Sequence, residues 1–268
     1  MIRTALVLPI LAVAAHAGQP LDVMDVFELE YATDAQVSPN GEQVVYVRHF
    51  NDVMTDRRYQ NLWMVDADGS NHRPLNTGKH TANSPRWSPD GRRLAYRSDE
   101  NGSMQLHVRW MDTGDTAAVT SHAMPPGNFA WSPDGNRIAF SRLVPEPALV
   151  IGEMPPAPKY TDMLAFRFDQ VGDVPPGYMH LFVVAADGGT PRQVTRGERQ
   201  FGAGSFAWAP EGESLIVAAD LTEGAEIYSV GNPDVYEIAL ADGSPHRLFV
   251  REGPVVACSL APHVRYSA

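Results

Sequence analysis

Nine histidines, a single cysteine and a glycine-flanked serine are the side chains of this 268-residue chain with obvious chemistry to offer. A metal site needs histidines or cysteines at close, repeated spacings, such as two histidines four apart on one helix face. His72, His80, His107, His122, His180 and His246 stand at no such spacing, so no metal ligand is assigned. Asp66-Ala67-Asp68-Gly69 begins like a calcium loop. It lacks the later ligands and the closing glutamate, and reads as a hairpin turn. A serine nucleophile on a strand–turn–helix elbow needs Gly-x-Ser-x-Gly. The nearest stretch, Gly202-Ala203-Gly204-Ser205-Phe206, lacks the second glycine in the right place. Cys258 has no basic neighbour to activate it and reads as a small buried apolar residue. Glycine loops that cradle phosphate are absent too. No catalytic, cofactor-binding or metal residue is predicted, and no cofactor.

What these side chains would be mounted on is a repeat. Trp87-Ser88-Pro89-Asp90-Gly91 recurs as Trp131-Ser132-Pro133-Asp134-Gly135. Looser copies are Ser38-Pro39-Asn40-Gly41 and Trp208-Ala209-Pro210-Glu211-Gly212. Proline presets φ for a tight turn, Asp or Asn bonds back to the backbone, and glycine takes the left-handed position that closes it. Each copy is followed by a β-type run: Val44 to Val47, Leu94 to Tyr96, Ile138 to Phe140 and Leu215 to Val217. A third strand and a second turn follow, as in Leu62-Trp63-Met64-Val65 before Asp66 to Gly69. The positions Ser38, Ser88 and Ser132 are 50 and 44 residues apart, the length of one four-stranded propeller blade. The five tryptophans, Trp63, Trp87, Trp110, Trp131 and Trp208, recur at blade positions, which favours core packing over ligand stacking.

The third repeat is interrupted, so that Ser132 and Ala209 lie 77 residues apart. A proline-rich stretch with an amphipathic piece at Tyr160 to Phe168 fills the gap. Loops of that length are usually functional or disordered, and an ordered excursion touching a neighbouring domain is expected. After the fourth repeat, Leu260-Ala261-Pro262-His263 is a degraded fifth turn. The fold expected is all-β: a β-propeller of four-stranded blades, incomplete at about four blades and a stub of a fifth. Its domains are a signal peptide at 1–17, an arm at 18–36 and a partial propeller at 37–268 with an insertion at about 143–178. In the arm, Asp22 is placed to cap a short helix with Val23, Val26 and Phe27 on one face.

Charge and the N-terminus narrow the setting. The formal net charge of -11 argues against a nucleic-acid partner, since phosphate binding needs a basic face. Met1-Ile2-Arg3, the apolar run Thr4 to Ala15 and the small-x-small Ala15-His16-Ala17 read as a cleaved secretory signal. No later stretch is apolar for long enough to span a bilayer. A periplasmic or secreted protein without internal disulfides is expected, because one cysteine cannot pair within the chain.

The chain resembles the N-terminal propeller of secreted prolyl oligopeptidase-family serine peptidases, the acylaminoacyl-peptidase and dipeptidyl-peptidase-like branch. The resemblance rests on Met24 to Ala32, Val37 to Arg48, Asn61-Leu62-Trp63, His72 to Leu75, Ser84 to Gly91 and His180 to Val184. The Ser-Pro-Asp-Gly turn is shared with TolB-like propellers. One departure is Arg167-Phe168-Asp169-Gln170-Val171-Gly172, where such proteins tend to show Arg-x-Asp-Gly-x-Gly. The resemblance implies a propeller that gates or docks short peptide substrates for an α/β-hydrolase domain with a Ser-Asp-His triad. No residue of that triad is present, so the chain is expected to be non-catalytic by itself and the front part of a longer architecture. The alternative is a stand-alone TolB-like periplasmic propeller that binds a protein partner. A propeller enzyme acting on sugars is a weaker third.

Overall fold

The computed structural model describes residues 22–146, 167–168, 172–173, 176–201, 204–221 and 233–249. The stretch expected to be a signal peptide, most of the expected insertion, the stretch read as a fifth turn and Cys258 lie outside the described residues.

Four antiparallel sheets of four strands account for nearly all of the described chain. Each sheet is one sequence repeat. The first blade is β1 (Tyr31–Val37), β2 (Gln43–Asp52), β3 (Arg57–Asp66) and β4 (Arg73–Pro74). The second is β5 (Ala82–Trp87), β6 (Arg93–Ser98), β7 (Gln105–Trp110) and β8 (Thr116–Ala118). In the third, β9 (Pro126–Trp131) and β10 (Arg137–Pro145) pair across the excursion with β13 (Gly177–Ala185) and β14 (Arg192–Gln193). Within the excursion, β11 (Arg167–Phe168) and β12 (Gly172–Asp173) form a two-stranded ladder. The fourth blade is β15 (Phe206–Trp208), β16 (Ser214–Ala219), β17 (Asp234–Ala239) and β18 (Pro245–Phe249).

Strand order within every blade follows the chain, and the innermost strands β1, β5, β9 and β15 neighbour one another in turn. No sheet closes on itself among the described residues. This is an incomplete β-propeller, as the repeat spacing predicts. Two boundaries differ from expectation. The first blade begins at Tyr31, inside the stretch assigned to the arm, because Tyr31 to Val37 pair with His49 to Val44. The ladder of β10 with β13 runs unbroken to Pro145 and Gly177, so pairing carries the third blade past 143 before the chain leaves it.

The arm differs more. Its helix α1 (Asp25–Glu28) is a single turn with Met24 at the N-cap and no side-chain cap. The Asp22 carboxylate instead accepts the Met24 amide at 2.9 Å. None of the helix residues is buried, and Val23 and Val26 are exposed. Four residues cannot build the apolar stripe that the spacing suggested. The segment is tied down by polar contacts: Asn51 Nδ2 donates to the Val26 carbonyl, and Arg48 pairs with Glu30.

The core lies between blades. Leu94 and Tyr96 pack with Val45, Val47, Leu62 and Met64 of the first blade, while Ala95 belongs to the cluster shared with the third. Likewise Ile138 and Phe140 meet Leu106 and Val108, and Ala139 meets the fourth blade at Leu215 and Val217. With both faces covered, the strands read as near-continuous apolar runs. In three of the blades a polar side chain just beyond the outer strand accepts an amide of the third strand. The amides of Leu62, Leu106 and Leu181 donate to Asn76 Oδ1, Thr120 Oγ1 and Thr195 Oγ1 at 2.8, 2.9 and 3.0 Å.

The Ser-Pro-Asp-Gly stretch joins blades as well as turning the chain. Inside the turn, Ser88 Oγ donates to Asp90 and accepts the Arg93 amide at 2.9 Å; Ser132, Asp134 and Arg137 repeat this geometry. The serine hydroxyls hold both aspartates below the usual carboxylate range. Between blades, the indole of each turn's tryptophan donates to the inner strand before it. Trp87 Nε1 reaches the Gln36 carbonyl at 3.1 Å, Trp131 the Arg86 carbonyl at 2.9 Å and Trp208 the Ala130 carbonyl at 3.0 Å. Arg93 lies over Trp131, and Arg137 over Trp208, each 5.2 Å from the ring. Each of these arginines also donates to a glycine carbonyl in the same neighbouring turn, Gly135 at 2.7 Å and Gly212 at 2.8 Å. Gly135 sits at φ 70, and a Cβ there would stand 3.5 Å from the ring of Pro89 in the preceding turn. The turns are nested.

Candidate binding groove along the inner strands

Stacking the inner strands leaves a cleft of about 580 Å³ between β5, β9 and β15 and the Pro39 turn. Trp87, Trp131, Phe129, Phe206, Pro39 and Pro89 supply its apolar walls, and Ser84, Arg86, Asn128 and Ser205 its polar ones. Three residues before each tryptophan, or before Val37 in the first blade, stands a short polar residue: Asp34, Ser84, Asn128 and Ser205. A β-bulge lies in β1 between Thr33 and Gln36 and in β5 between Asn83 and Arg86. It places Asp34 and Ser84 at φ 47 and 56, left-handed values that ordinary side chains rarely adopt. Bulges bend an inner strand and re-aim a side chain, and they concentrate next to binding sites.

A hydrogen-bonded cluster sits behind these positions. Arg86 Nη1 reaches both carboxylate oxygens of Asp34 at 2.9 Å, and Gln36 donates to Asp34 at 2.8 Å. Arg97 Nε donates to Asn83 Oδ1 and Arg97 Nη2 to Ser84 Oγ, both at 3.1 Å. Asn83 in turn donates to Gln60, and Asn128 to the Gly204 carbonyl. Burial first, and the charge of Arg86 second, push Arg97 below the usual arginine range. Such an arrangement can orient a polar ligand between aromatic walls.

The histidines singled out in the sequence scatter. His72 bonds Tyr46 and packs on Trp63 in the first blade, and His246 is exposed on β18. His80 and His107 flank the same carboxylate, Glu100, at 3.9 and 3.5 Å, with His107 almost fully buried. Among the described residues no group of three His, Cys, Asp or Glu side chains is arranged to hold a metal ion. Asp66 to Gly69 form a hairpin turn in which the Gly69 amide donates to the Asp66 carbonyl. Ser205 lies at the groove, just before β15, with no helix after it.

The buried histidines, with the half-buried His122, have a different consequence. His49, His107, His122 and His180 are all pushed below 6.5, in each case first by burial. The folded chain therefore keeps them neutral where the unfolded chain takes up protons. Their stabilisation is full above pH 6.5 and is lost as pH falls from there through the folded values. Thermal melts followed by circular dichroism should show the midpoint dropping between about pH 7 and about pH 5, a window above the titration of Asp90 and Asp134. A midpoint flat over that window would contradict the buried neutral assignment.

Arg86, Asp34 and Arg97 carry no local sequence signal, because Asp34 and Arg86 stand 52 residues apart and meet only when blades stack. Arg93 and Arg137 were findable: each follows its tryptophan by six residues.

Comparison with known proteins agrees with this geometry. Residues 41–144 match the TolB β-propeller domain. The chain is also related to peptidases. Dipeptidyl-peptidase 5 of Porphyromonas gingivalis is 25% identical over 253 residues, covering 87% of this chain and 36% of the relative. A solved acylaminoacyl peptidase, in complex with Z-Gly-Gly-Phe-chloromethyl ketone, superposes with a TM-score of 0.65 at 16% identity, over 86% of this chain and 34% of that one. The TolB likeness is shorter: a Tol-Pal system protein TolB of Novosphingobium aromaticivorans is 45% identical over 53 residues, 20% of this chain and 12% of the relative. The chain thus spans about a third of the length of the peptidases it matches, within their propeller portion. Among the described residues no helix is long and apolar enough to cross a membrane.

Proposed function

We propose that this chain is the substrate-gating and docking propeller of a prolyl oligopeptidase-type serine peptidase, without catalytic chemistry of its own. The supporting observation is coverage: the likeness to dipeptidyl-peptidase 5 takes in 87% of this chain and only 36% of the relative. The groove then serves short extended peptides, which fit between aromatic walls where a folded protein does not. Residues 1–17 direct export, and an α/β-hydrolase domain is the partner that receives the docked peptide.

The test uses the purified chain. Short peptides should quench the fluorescence of Trp87 and Trp131, while chromogenic dipeptidyl and acylaminoacyl substrates turn over no faster than in buffer. Turnover above buffer overturns the non-catalytic assignment. Absence of any peptide binding overturns the docking role.

The second reading is a stand-alone propeller that binds a protein partner, favoured by the 53-residue TolB match. That match covers 20% of this chain, so the peptidase likeness over 87% of it weighs more. Capture of a folded periplasmic protein, with no short-peptide binding, would reverse the order.

A further inference from the structure

The polar end of the groove holds two guanidinium groups against one carboxylate. Asp34 is already committed, with Arg86 Nη1 on both of its oxygens and the Gln36 amide beside them. Arg97, behind it, donates only to neutral acceptors: Asn83 Oδ1 and Ser84 Oγ at 3.1 Å and the Gly127 carbonyl at 3.5 Å. A desolvated cation whose contacts are all neutral is undercompensated, and a second anion within reach would be drawn to it. Burial first and the nearness of Arg86 second disfavour the charged form of Arg97, and the Asp34 carboxylate offsets them only in part.

Arg86 is the group that can meet a second anion. It lines the groove, and its side chain is 40% exposed. Only Nη1 is engaged among the described residues, by Asp34 and the Pro85 carbonyl. The Nε and Nη2 edge carries no described partner. That edge of a guanidinium fits a carboxylate in a two-bond fork.

We infer that the groove selects peptides by a carboxylate, seated on the Nε/Nη2 edge of Arg86 with Arg97 as the second positive charge. The neighbouring side chains of the peptide then lie against Trp87, Trp131 and Phe206. This rests on the peptide-docking reading and adds a chemical class to it. The carboxylate has two sources, the peptide C-terminus or an acidic side chain, and both present the same fork.

Calorimetric titration of the full chain separates the cases with three probes. These are tetra-alanine as free acid, tetra-alanine amide, and an alanine tetrapeptide amide with one internal glutamate. A charge-assisted fork should make a carboxylate-bearing peptide bind about ten-fold tighter than the plain amide. Preference for the free acid assigns the C-terminus, and preference for the glutamate amide assigns the side chain. Arg86→Gln should abolish the preference. Asp34→Asn, which frees Arg86 from its competitor, should enlarge it. That variant carries the test even where Arg86→Gln does not fold. Equal binding of all three peptides overturns carboxylate selection and leaves peptide docking standing; binding by none overturns both.

Discussion

Phe140→Ala should destabilise the chain by about 3–5 kcal/mol, the range for emptying a phenylalanine site in a closed core. Phe140 is fully buried at the centre of the cluster shared by the second and third blades. It is paired across the sheet with both Phe129 and Phe182, and stacks on the Phe182 ring at 5.5 Å. Its backbone is held by strands on either side, so the sheet cannot collapse into the space left behind. The consequence should also be one of cooperativity. In a repeat architecture, stability is roughly a sum of unit terms and interface terms, and emptying one interface weakens the coupling across it. Urea unfolding of the variant should show a lower midpoint and a smaller slope, as the first two blades come apart from the last two. A parallel shift with unchanged slope would mean that the interface is not the coupling element.

The blade count, the four-strand plan and the late third strand were legible because they depend on local physics. Turn residues fix φ, and β-branched runs fix strands, within a few positions of one another. The match of Asp66 to Gly69 with a hairpin turn has the same origin. The arm was misjudged for an equally local reason. Spacing of Val23, Val26 and Phe27 suggests a helix face, but the helix is a single turn that begins after Val23, and although it lies against β2 none of its residues is buried. The groove was not legible at all. Asp34 and Arg86 become partners only through the stacking of two blades, and the bulges that present Asp34 and Ser84 arise from register, which spacing alone does not reveal. The tryptophans were half legible: Trp208 is buried as core packing predicts, whereas Trp87 and Trp131 are partly buried and wall the groove, and the indole bonds to the preceding blade were not expected.

Those indole bonds yield the second large effect. Trp131→Ala should cost about 3 kcal/mol, at the lower end for a buried aromatic because this ring is only partly buried. Three contacts between blades go together: the bond from Nε1 to the Arg86 carbonyl, the guanidinium of Arg93 over the ring, and the aromatic wall itself. Trp131→Phe separates them. It keeps a ring under Arg93 but leaves the Arg86 carbonyl without its donor, a loss of about 1 kcal/mol. The first blade offers an internal comparison, since Val37 occupies the tryptophan position, is 62% exposed and makes no such bond. Because Trp131 holds the backbone of Arg86, Trp131→Phe should also loosen the guanidinium that lines the groove. Stability and peptide affinity should therefore fall together in Trp131→Phe. In Trp208→Phe, whose indole bonds Ala130, stability should fall by a similar amount with peptide affinity kept. Equal losses of affinity in both variants would separate the turn's role in joining blades from any role in placing Arg86.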